Sequence, residues 1–213
     1  MSGHQSRSAP FSLRKPVVLI GAPSGAGKTE LSHRIICGQI PFFTELCGAA
    51  SGDELVRYDL KVLPEDPPRN RVLIVECATH KFDELTRSAQ WQRMLNVIRE
   101  SERVICVKLD VPRHVVVRQY FLRVFTKPKG TALVTRVLRV SKYRNTLIYA
   151  LTSQLSRANA AWEAFVRTLV DEMPSVFVVR AKRSGVHYGM LLETQPLEPA
   201  PVLAGASTPN KLG

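Results

Sequence analysis

Residues 15–31, KPVVLIGAPSGAGKTEL, carry three patterns in succession. Pro16 to Gly21 is a continuous apolar run, the mark of a strand buried on both faces. Leu31, Ile35 and Ile36 then recur at the spacing of a helix. Between strand and helix, Ala22, Pro23, Ser24, Gly25, Ala26, Gly27, Lys28 and Thr29 fit the phosphate-loop pattern, with Ala22 in the first position and Gly21 just before it. Gly25 and Gly27 permit backbone conformations that let successive N–H groups converge on phosphate oxygens. The helix starting near Gly27 adds the partial positive charge of its N-terminus. Lys28 is expected to reach the β and γ phosphates, and the Thr29 hydroxyl to ligate Mg²⁺.

Outward from this stretch the apolar period keeps switching. A strand is expected within 54–63, followed by the turn-rich PEDPPRN and a second buried strand at 71–77. Phe82, Leu85, Trp91, Met94, Leu95 and Ile98 mark a helix, and 103–110 reads as a third buried strand. Pro112 suits the first turn of a helix reaching about Phe125. A helical region through 133–151 and another around Trp162 to Leu169 lead to a strand at 175–180 and an edge strand at 186–192. Strands alternating with helices predict an α/β fold, a parallel sheet with helices on both faces in three layers. Residues 1–14 and 194–213 read as tails around one domain at 15–193.

The 213 residues hold 30 Lys and Arg against 18 Asp and Glu, a net charge of +12, which points to an acidic or phosphorylated partner. Between Arg103 and Arg144 stand eleven basic residues and a single acid, Asp110. Within that segment Arg118 and Arg123 precede Lys127, Pro128, Lys129 and Gly130, and the place of this stretch after the third buried strand's helix resembles that of the lid in small P-loop kinases, which implies a hinged basic flap over about 118–131 closing on phosphates. A plain basic helical face and a nucleic-acid surface are the alternatives, the second not favoured because Tyr120, Phe121 and Phe125 fall at core spacing.

Phosphoryl transfer also calls for acids. Glu76 closes the strand RVLIVE and is the candidate to approach Mg²⁺, while Asp59 is the candidate to take a proton from an acceptor hydroxyl. Asp110 suits a capping or turn role, and His80 a polar loop position. The cysteines, Cys37, Cys47, Cys77 and Cys106, form no metal-ligand spacing, so reduced and mostly buried thiols of a cytoplasmic protein are expected. No signal peptide or membrane span is read from the sequence.

The run GAPSGAGKTEL, Gly21 to Leu31, resembles the phosphate loop of the guanylate kinase and nucleoside monophosphate kinase group of P-loop NTPases. The close likeness covers about a dozen residues. It implies a P-loop fold, ATP held by residues 21–30 including Glu30, Mg²⁺ held by Thr29 and Glu76, and transfer of the γ-phosphoryl group to a small, anionic acceptor. Lys28, Arg118, Arg123 and Asp59 would be the catalytic set. No guanylate-binding segment follows the first helix. A regulatory NTPase and a nucleic-acid-associated ATPase using 103–144 are the rival readings. Neither Asp-x-x-Gly nor Asn-Lys-x-Asp is present, which argues against a GTPase.

Overall fold

The computed structural model describes residues 13–23, 25–49, 54–79, 82–125, 154–184 and 187–194. Strand β1 (Val17–Ala22) is buried at every position and runs through the glycine-rich loop into helix α1 (Lys28–Ile36). A short helix α2 (Pro41–Cys47) precedes β2 (Leu55–Asp59), and β3 (Val72–Ala78) follows the proline-rich connector. Then come α3 (Phe82–Leu85), α4 (Ala89–Glu100), β4 (Val104–Asp110) and α5 (Arg113–Phe125). Helix α6 (Gln154–Glu172) leads into the hairpin of β5 (Val176–Ser184) and β6 (His187–Thr194).

The six strands form one sheet in the order β2-β3-β1-β4-β5-β6. All neighbours are parallel except β5 and β6. Alternation along each strand divides the core in two. Val18, Ile20, Ile74, Ile105 and Val107 pack with Leu31, Ile35 and Phe43 of α1 and α2. Val17, Leu19, Val75, Cys77 and Cys106 pack on the opposite face with Met94, Ile98, Trp162 and Val166 of α4 and α6. Each fully buried aliphatic side chain contributes about 1.5–3 kcal/mol, so a central strand without a polar residue for six positions commits β1 to the middle of the sheet. The expected α/β architecture with helices on both faces is therefore observed.

Local differences from the sequence reading have local causes. The strand expected at 54–63 ends at Asp59, because the Asp59 carboxylate accepts a hydrogen bond from Lys61 N at 3.0 Å and caps a 3₁₀ turn at 60–62. The single helix expected from Phe82 is broken before α4, where the Ser88 hydroxyl accepts from Trp91 N at 3.2 Å. Arg14, assigned by its composition to a tail, is 4% exposed. Its guanidinium donates to Glu100, Asp66 and the Pro67 carbonyl, so the chain is tied to the domain one residue before the expected start. The tails beyond these residues, the helical region 133–151 and the flap loop 126–130 lie outside the described residues.

Three of the four thiols are buried, as expected from their apolar contexts, and Cys37 is exposed. Burial pushes the Cys47 and Cys77 thiols up to about 12, against an ordinary 9.0. It moves Cys106 in the same direction. Above pH 9 the unfolded chain releases these protons and the folded chain keeps them, so stability present below pH 9 is lost progressively between pH 9 and 12. At pH 8 an alkylating reagent is expected to modify Cys37 alone in the native protein and all four cysteines in denaturant. Rapid native labelling of two or more thiols, counted by mass spectrometry, would contradict that packing.

Candidate functional site

The carboxyl ends of β1, β3 and β4 lie side by side, because these three neighbours are parallel and in register. From β1 the chain first moves to one side, to β2, and β4 lies on the other. In open parallel sheets this reversal leaves a crevice above the strand ends, where ligands bind. The loop after β1 opens onto that crevice.

Within the loop, Gly25 and Gly27 have φ of 79° and 97°, in the left-handed region. Gly27 caps α1 in this left-handed conformation, and a Cβ there would also displace the Arg183 guanidinium, whose Nη1 would lie 2.6 Å away. Lys28, the first residue of α1, is only 9% exposed. Its ammonium donates to the carbonyls of Ala22 at 2.9 Å and Pro23 at 3.1 Å, so the charge is held across the root of the loop. Ser24 lies outside the described residues, as does His80. Gly21 has a packing role besides its place beside the loop, since the Trp162 indole lies against its Cα.

Thr29 and Glu76 meet. The Thr29 hydroxyl donates to Glu76 Oε2 at 3.0 Å. Glu76 is 6% exposed, and its Oε1 has no hydrogen-bond partner among the described residues, the Arg57 guanidinium standing 3.7 Å away. A buried carboxylate with an oxygen left over, beside a hydroxyl, is a hard oxygen-donor set of the kind that suits Mg²⁺ together with phosphate oxygens. Among the described residues no group of three or more His, Cys, Asp and Glu could hold a metal by itself. Asp59 stands opposite Glu76 in the β2–β3 register, on the same face, with its carboxylate engaged as the cap described above.

Other expected residues separate from this centre. Glu30 is exposed and pairs with Arg34 at 2.8 Å along the helix surface. That hydrogen bond, with the nearby positive charges, holds its carboxyl below the usual value. Arg118 is exposed on α5, and the side chain of Arg123 lies outside the described residues. Helix α5 instead reaches the loop through Gln119. With its amide turned to satisfy both groups, its nitrogen donates to Gly25 O at 2.5 Å and its oxygen accepts from Arg183 Nη1 at 3.1 Å. The β5–β6 hairpin supplies Arg183 and also Tyr188, whose hydroxyl donates to Gly27 O at 3.4 Å. Arg34 and Arg183 both lie against the Tyr188 ring, and burial raises its phenol above the ordinary value. Gln119, Arg183 and Tyr188 carry no motif, and sequence reasoning missed them because three distant segments converge only in the fold.

The basic segment also looks different in three dimensions. Arg103 donates to Leu46 O and lies over the Phe177 ring, and Lys108 pairs with Glu163 and Asp110. Those two cations hold the fold together and do not add to an open basic surface. Asp110, expected as a cap or turn residue, receives Lys108 and Arg180 instead. Among the described residues no helix is long and apolar enough to cross a membrane. No protein-family model matches the chain, and no curated protein matches it.

Proposed function

We propose that the protein is a P-loop phosphotransferase that binds ATP through residues 21–29 and passes its γ-phosphoryl group to a small acceptor. The observation that carries this reading is the joint placement of Lys28 and the Thr29–Glu76 pair at the carboxyl end of a central parallel strand. Loop amides around Gly25 and Gly27 would donate to phosphate oxygens, aided by the N-terminus of α1. The Lys28 ammonium, held by two neutral carbonyls, would exchange those bonds for ones to the oppositely charged phosphate. Thr29 and Glu76 would hold Mg²⁺, which when bound neutralises charge on the phosphate oxygens. Asp59, beside Glu76, keeps its cap at Lys61 N through Oδ1 and would take an acceptor's proton on its other oxygen. Arg183, tied to Gln119 beside the loop, is better positioned than Arg118 to face phosphate charge.

The test is a panel of acceptors incubated with γ-labelled ATP and Mg²⁺, with a control lacking any acceptor. Label transferred to one acceptor supports the reading. Label released only to water, at the same rate whatever acceptor is present, would replace it with a nucleotide-hydrolysing switch.

A further inference from the structure

On the sheet face opposite α1, two cavities of about 250 and 50 Å³ share Lys108 and Trp162 as wall residues. The smaller is bordered by Gly21, Pro23, Asp110 and Asn159, at the root of the glycine-rich loop. The larger continues under α6 over a floor that includes Cys106, Val166 and Val178. Together they form a trough near the lower end of the size range of small-molecule pockets.

Two of the three cations of this trough are ion-paired with its carboxylates. Lys108 pairs with Glu163 and stands 3.9 Å from Asp110. Arg180 Nε lies 3.5 Å from Asp110 and 2.6 Å from Glu193. Arg167 is the third cation of the lining, against the three carboxylates Asp110, Glu163 and Glu193. An anionic or cationic occupant would have to separate one of these pairs in a partly dehydrated setting, where stranding a charge is costly. An uncharged occupant leaves them all in place.

Two buried polar atoms of the lining make no hydrogen bond among the described residues, Arg180 Nε, which is still ion-paired with Glu193, and the uncharged Trp162 Nε1. Trp162 is 2% exposed, yet its Nε1–H is buried with no hydrogen-bond partner among the described residues. A buried donor without an acceptor keeps its full desolvation cost, which an occupant bringing an oxygen to that position would offset. The indole is fixed for the task, its ring flat against Gly21 on one side and near Phe82 and Phe165 on the other.

We infer that the trough between α6 and strands β4, β5 and β6 binds a small uncharged molecule that presents a carbonyl or hydroxyl oxygen to Trp162 Nε1. This differs from the anionic acceptor expected from net charge, because three carboxylates balance the three cations of this lining, and Lys108 and Arg180 are ion-paired within it. The inference does not depend on nucleotide binding by the loop.

The test follows the two tryptophan indole N–H signals of the ¹⁵N-labelled full chain, assigned with Trp91→Phe. Uracil serves as the carbonyl probe, ribose as the hydroxyl probe and inorganic phosphate as the charged one. The expected result is a saturable downfield shift of the Trp162 signal with uracil or ribose, about nine-tenths complete at roughly 10 mM for a millimolar dissociation constant. Which probe acts tells carbonyl from hydroxyl. Phosphate should leave the signal in place in a Lys28→Ala background, where uracil or ribose should still act. Val178→Leu, which narrows the floor, should weaken the response at least tenfold. The inference is overturned if neither neutral probe saturates, if Val178→Leu leaves the response unchanged, or if the Trp162 proton is already hydrogen bonded in the probe-free protein. Loss of ATP binding alone would leave it standing.

Discussion

Lys28→Ala is expected to weaken ATP binding by about 10²–10⁴-fold while the protein stays folded. Lys28 provides the one ammonium bound directly across the root of the loop among the described contacts. A hydrogen bond to a charged group contributes about 1.5–3 kcal/mol, and an ammonium bridging two phosphates loses two of them, which corresponds to that factor. The fold has less at stake. The two bonds lost go to the carbonyls of Ala22 and Pro23 at the rim of the sheet, and the α1 residues Leu31 and Ile35 that fill the core are untouched. Titration calorimetry with Mg²⁺ and ATP, run beside a thermal melt, separates the two effects. Unchanged ATP affinity in a normally melting Lys28→Ala protein would remove the basis of the phosphotransferase reading.

Gly21→Ala is expected to be the most damaging single-methyl change at the site. A Cβ at Gly21 would sit 2.0 Å from Trp162 Cε2 and 2.4 Å from its Cδ2, within the indole itself. The ring cannot swing aside cheaply, because Phe82 and Phe165 are packed edge-on and tilted against it at 6.1 and 5.5 Å between centroids. Overpacking of this kind costs about 1–3 kcal/mol where neighbours can shift, and these neighbours are constrained. Either Trp162 moves or β1 does, and β1 leads directly into the loop. The variant should therefore melt lower and bind ATP more weakly, whereas Gly38→Ala, with open space around its Cβ, should pay only for its left-handed φ of 67°. Equal melting temperatures for Gly21→Ala and the parent protein would show that the indole contact is not a constraint.

Much of the centre was legible from residues 15–31. Apolar β1, the positive-φ glycines, Lys28 at the helix start and Thr29 one residue on are local consequences of adjacent residues, so spacing alone exposes them. Glu76 was legible as well, since an acid that follows the apolar run Val72–Val75 has few places to stand but near the strand's carboxyl end. The limits of β2 and α4 were less visible, because each is set by one side chain, Asp59 or Ser88, that competes for backbone N–H groups. Such competition is decided by a fraction of the energy that drives burial.

What the sequence by itself determined is an α/β chain with a glycine-rich loop at the end of its most buried strand. Local conformational preference and apolar periodicity act over a few residues and are written in their order. The tertiary structure alone decided that Gln119, Arg183 and Tyr188 surround the loop, that Arg103 and Lys108 are taken up by internal contacts, and that Trp162 lies on Gly21 with its N–H unanswered. Those facts depend on which helix covers which strand, and pairings between residues far apart in the chain leave no periodic mark on it.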